Sequence, residues 1–222
     1  MSALFPLALA LAALGAWLAC RLIRETRARA SAHAAHFDVV KPLFDSAATR
    51  LAPPGVPRRT ARRAGLAFER PAIPDPLTFR KLPALWVLVS LPEPLPLEAT
   101  LDLMARPSGN EPFTRFANLP ESLPPLAGLP REVAIRTDDA RRVPPPALVA
   151  AHADLFDDPR VKELVLSPRG LRIVTLAEEA DRGRYLIFRE AEMGRAPLSP
   201  ARLAPLLDRL AAIRQDVLAL GG

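Results

Sequence analysis

Residues 4–20, LFPLALALAALGAWLAC, run for 17 positions without a charge, and Leu22 and Ile23 carry the apolar face past Arg21. At ~1.5 Å per residue, a helix over residues 4–23 is roughly 30 Å long, the thickness of a bilayer's hydrocarbon core. Pro6 falls in the first turn, where a missing amide hydrogen costs little, and Trp17 lies near the far end, where an indole favours the membrane interface. The pattern predicts a transmembrane anchor over residues 1–23. Two readings compete with it, a cleaved export signal and a helix buried in a soluble protein. The signal lacks the Lys or Arg that normally precedes the apolar stretch.

A basic segment over residues 24–63 follows. Phe37, Val40, Leu43, Phe44 and Ala47 recur at helical spacing and predict a helix continuing from the anchor over residues 21–51, kinked at Pro42. The stretch 51–57 has three prolines and no periodic apolar face, so it reads as a linker. Arg58, Arg59, Arg62 and Arg63 come directly after it, either as a solvated lead-in to the first strand or as a lipid contact.

Residues 64–222 read as one domain. Short apolar or alternating runs predict strands over 64–69, 77–81, 85–91, 97–104, 132–137, 161–166, 171–176 and 185–189. Ser167-Pro-Arg-Gly170 has the residue order of a type I turn and joins two of these runs in a hairpin. A second pairing is expected between 86–89 and 100–104. The Pro- and Gly-rich stretch 106–130 reads as a long loop with room for a short helix, anchored by Phe113, Phe116, Leu119 and Leu123. Helices are expected over 145–156 and 199–220, the latter with Ser199 as N-cap and Pro200 at the first helical position. Leu203, Leu206, Leu210, Ile213, Val217 and Leu220 form a seam on it that suits either its own sheet or a homodimeric coiled coil. The fold class that follows is α+β: a single transmembrane helix, then a mainly antiparallel sheet with about two packed helices.

Half of the residues are hydrophobic, which argues against wholesale disorder. The formal charge of +6 is unevenly spread. Residues 1–70 hold 11 Lys and Arg against 4 Asp and Glu, whereas residues 71–222 hold 19 against 20. The domain is therefore close to neutral, and nucleic acid is not expected as a partner. Arg21, Arg24, Arg27 and Arg29 follow the apolar span and are the candidate membrane-surface residues. By the positive-inside rule they place the bulk of the chain in the cytoplasm, at a bacterial inner membrane if the 27 Arg against 3 Lys reflect GC-rich coding. The lone Cys20 allows neither an intrachain disulfide nor a cysteine cage for zinc.

No phosphate-cradling glycine loop, nucleophile elbow, zinc-protease helix or paired-cysteine motif occurs, and no cofactor is called for. His33 and His36 are placed to share a helix face, but a metal site there needs a third donor. Asp138, Asp139, His152 and Glu178 are the candidate set for an acid/base or cation site, which forms if the sheet brings its strand ends together. The expectation is a membrane-anchored, non-enzymatic module that binds a protein partner or the membrane surface. A small metal-dependent hydrolase using those carboxylates and His152 is one alternative, and an exported envelope protein is the other.

Overall fold

The computed structural model describes residues 39–52, 56–75, 82–180 and 198–221, with positions 14, 15, 17–21, 24, 183 and 185. Ten strands form one sheet: β1 (Ser46–Ala52), β2 (Val56–Arg63), β3 (Leu66–Glu69), β4 (Ala72–Asp75), β5 (Ala84–Leu91), β6 (Leu101–Ala105), β7 (Glu121–Leu123), β8 (Val133–Thr137), β9 (Val161–Ser167) and β10 (Gly170–Glu179). Their order is β1-β2-β3-β5-β10-β9-β6-β8-β7, with β4 continuing the β3 edge along β5, and every pairing is antiparallel. The helices packed with this sheet among the described residues, α1 (Pro146–Ala150) and α2 (Pro200–Leu220), make the arrangement α+β.

α2 lies on β5 and β10. Leu203, Leu207, Leu210, Ile213 and Val217 are buried there against Val87, Val89, Leu171 and Ile173. The seam predicted along this helix thus faces its own sheet, except that Leu220 is half exposed. Ser199 occupies the N-cap position, but its carbonyl rather than its hydroxyl closes the first turn, accepting from the Arg202 and Leu203 amides at 3.1 Å. α1 and the 3-10 turn Ala153–Asp157 split the predicted helix over 145–156, and Leu148, Val149, Leu155 and Phe156 join the same core.

Three expectations change. Residues 46–52 and 56–63 pair as the antiparallel strands β1 and β2 where a helix and a linker were expected, and β2 joins the sheet through β3. A two-residue turn makes that second connection, with Ala64 at φ 50° and Gly65 at φ 78°, the left-handed pair that matches strand twist. The sheet therefore begins before residue 64. β5 and β6 are not neighbours, because the β9–β10 hairpin inserts between them; the proline-rich connection 92–100 crosses over the end of that hairpin, where the Leu95 amide donates to the Pro168 carbonyl at 3.1 Å. Of the strand predicted over 185–189 only Tyr185 is described, and it is helical. The strand predicted over 77–81 lies outside the described residues.

Among the described residues no helix is long and apolar enough to cross a membrane. Most of the predicted span falls outside them. Its described positions are helical, and the Arg21 guanidinium sits 5.6 Å from the Trp17 ring centroid.

The β9–β10 turn depends on Gly170, whose φ is 134° and where an added Cβ would lie 2.2 Å from the Leu91 carbonyl oxygen. Gly170→Ala is expected to cost at least ~2 kcal/mol in urea unfolding. Gly65→Ala, which meets open space, should cost only the left-handed penalty of about 1 kcal/mol.

Candidate functional site

The strand register sets a line of residues across the face of the sheet that carries no helix. Glu69, Ser90, Arg172, Val165, Asp102 and Arg136 are successive cross-strand partners on β3, β5, β10, β9, β6 and β8. Directly opposed residues share a face, so all six point the same way. The adjacent line is Leu88, Val174, Glu163, Met104 and Ala134. Its apolar members form a second core with Phe113 and Phe116, to which neither helix contributes. Both phenylalanines belong to the segment between β6 and β7, which folds down over this face; Phe113 meets Trp86 with ring centroids 5.1 Å apart.

Glu163 lies in the middle of this face with no exposed surface. Its carboxylate accepts from Arg172 Nη2 at 3.0 Å and from the Thr114 hydroxyl. Thr114 Oγ1 in turn accepts the Phe116 amide at 3.0 Å, fixing the turn that seats that ring. Asp102, also buried, completes the centre. Burial first, and then the negative charge of Glu163, push its carboxyl up to about 8 against the pull of Arg172. Burial raises Glu163 as well, while Arg172 and Thr114 draw it down. Asp102 therefore holds the proton at neutral pH, Glu163 holds the charge, and Arg172 balances it.

Two further fasteners hold the segment. Lys162 Nζ donates to the Ala105 and Arg106 carbonyls at 2.8 and 2.5 Å and pairs with Glu111 at 3.0 Å. Burial works against ionised Glu111, but the Ser108 amide and hydroxyl and the Lys162 ammonium outweigh it and hold the carboxyl at about 2. Arg106, at φ 47°, spans from Glu132 to the Pro159 carbonyl, each at 2.7 Å.

Beside the segment a groove of about 980 Å³ stays open. Its floor is the line from Glu69 through Ser90, Arg172 and Val165 to Asp102; one wall is Pro112–Arg115 with Asn118 and Leu119, and the other is Pro92, Gly170, Ser167, Thr100 and Asp138. Arg115 and Arg169 stand exposed on opposite walls, and neither has an ion pair among the described residues.

The residues singled out in the sequence have separate placements. Asp138 lines the groove and accepts the Thr100 amide at 2.7 Å. Asp139 caps its own turn through the Arg141 amide at 2.9 Å and pairs with Arg142. His152 is buried on the helical side, its Nε2 2.9 Å from Asp216 and its Nδ1 3.3 Å from Arg209, which also grips Asp154. Glu178 sits near the end of β10 opposite Leu85. Among the described residues no group of three or more His, Cys, Asp or Glu is arranged to hold a metal ion. Arg21 and Arg24 are helical and exposed, whereas Arg27, Arg29, His33 and His36 lie outside the described residues. The buried centre of Asp102, Glu163 and Arg172 went unrecognised in the sequence. Its signal is a charge set inside a mainly apolar strand, alone in β6 but beside Lys162 in β9 and with Glu178 and Glu179 further along β10, a pattern also left by solvent-facing positions.

No protein-family model, curated protein or solved structure matches the chain.

Asp102 binds its proton far more tightly folded than unfolded, where its ordinary value is 3.8. A folded value above the unfolded one gives stability that is complete below about 4 and is lost as the pH rises through about 8. The melting temperature is expected to fall between pH 5 and 8.5. In Asp102→Asn, whose amide still donates to Glu163, that slope should flatten and the variant should be the more stable protein at pH 8.5.

Proposed function

We propose that this chain is a membrane-tethered binding module that holds a segment of a partner protein in the groove on the helix-free side of its sheet, with the domain in the cytoplasm. The groove carries this reading. It is large enough for several residues of chain, joins apolar patches to unpaired donors, and has a covering segment fixed at four points, so that its shape exists before a ligand arrives. Asp102 and Glu163 are occupied with each other and with Arg172, which suits a structural floor better than a reacting group.

The tether rests on the uncharged run over residues 4–20 and on Leu14, Trp17 and Leu18, each more than half exposed on a helical stretch. Water is a poor surrounding for such a face and lipid a good one. The excess of arginine just beyond it favours the cytoplasmic side.

Site-specific photo-crosslinking in intact cells tests the groove. A crosslinking amino acid at Asn118, on the rim, should give a discrete adduct, and one at Gln215, exposed on the outer side of α2, should not. Equal labelling at both positions, or none at Asn118, removes the groove as the contact surface. For the tether, a C-terminal reporter that fluoresces only in the cytoplasm should be bright and should stay with membranes through alkaline carbonate washing. Release into the wash, or activity only of an export-dependent reporter, counts against it.

A further inference from the structure

We propose that the groove takes an extended acidic peptide, gripped by Arg115 on one wall and Arg169 on the other. The inference rests on the reading of the groove as a partner site and names the chemistry of what enters it. Charge bookkeeping within the groove points this way. Of the acids on its lining or beneath its floor, Asp138 accepts the Thr100 amide, Glu163 is paired with Arg172, Asp102 is buried and held protonated, and Glu69 has a partner of its own. Two cations of the lining, Arg115 and Arg169, have no ion pair among the described residues. The two guanidinium groups that remain unpaired at this place are open to a carboxylate from outside.

Shape narrows the ligand. From β3 to β6 the floor crosses five strands, ~19 Å at ~4.8 Å per strand, the length of five or six extended residues at ~3.3 Å each. Val165, Leu119 and Phe113 offer apolar footing between the polar positions. Cations on opposite walls suit carboxylates spaced along a chain, since a guanidinium fork takes one carboxylate at a time. A lipid phosphate would instead need its cations to converge on one point.

The probe is a fluorescein-labelled hexapeptide of alternating glutamate and leucine, read by anisotropy against the full chain in phosphatidylcholine nanodiscs. It should bind at least tenfold more tightly than its lysine–leucine counterpart. Arg115→Glu and Arg169→Glu should each weaken it about tenfold or more, as loss of a charge-assisted pair does. Arg141→Glu, exposed but outside the groove, should leave it unchanged. All three changes sit on exposed loop positions, and a melting curve for each confirms folding. Equal binding of the lysine peptide, equal loss in Arg141→Glu, or no binding of the acidic peptide overturns the proposal. So does reversal-sensitive binding of phosphatidylglycerol vesicles without peptide binding, which would assign the site to lipid. A crosslink at Asn118 without acidic-peptide binding would overturn only the ligand's chemistry; peptide binding without a crosslink in cells would instead strike at the module's role.

Discussion

A carboxylate with no exposed surface sits at the centre of this sheet, and the rest of the molecule is arranged to keep it satisfied. Leaving Glu163 unpaired would cost several kcal/mol. Its partners come from three separate places: Arg172 from β10, Thr114 from the segment between β6 and β7, and protonated Asp102 from β6. Meeting that requirement draws the segment down onto the sheet, seats Phe113 and Phe116 on the neighbouring apolar line, and leaves an open strip alongside. The groove is thus a consequence of how a buried charge is accommodated.

The two faces of the sheet divide the work. One is covered by α1, α2 and the main core, where aliphatic side chains fill the space and His152, Asp216, Arg209 and Asp154 lace the helical layer together at its margin. The bidentate pair of Arg214 with Glu93, at 2.7 and 2.6 Å, ties α2 to the connection after β5 and holds the Glu93 carboxyl below its usual range. The other face is half covered. Its closed half is apolar and its open half polar, and the boundary runs along the line that contains Arg172, Val165 and Asp102.

Local patterns made much of this legible. The apolar runs of β5, β9 and β10, the alternation in β8, the turn at Ser167–Gly170 and the amphipathic α2 all follow from patterns over a few residues. Long-range pairing did not. β5 and β6 flank a short proline-rich connection and invited a direct pairing, but β9 and β10, distant in sequence, occupy the space between them. Arginines, alanines and prolines concealed β1 and β2, because Pro57 speaks against a strand unless it lies at an edge. Asp138, Asp139, His152 and Glu178 stand out in the sequence because histidine and strand-end carboxylates carry chemistry. Asp102, Glu163 and Arg172 carry no such mark in the sequence, and only the folding-over of the segment between β6 and β7 makes their face an interior.

If Glu163 and Thr114 hold the covering segment in place, the environment of Trp86, in tilted contact with Phe113, must respond when that link is cut. Acrylamide quenching of tryptophan fluorescence in Trp17→Phe protein, where Trp86 is the sole emitter, measures this directly. Adding Thr114→Val should raise the quenching constant several-fold while far-ultraviolet circular dichroism stays unchanged, because the segment lifts and the sheet remains. An unaltered quenching constant in a folded Thr114→Val protein would contradict the account.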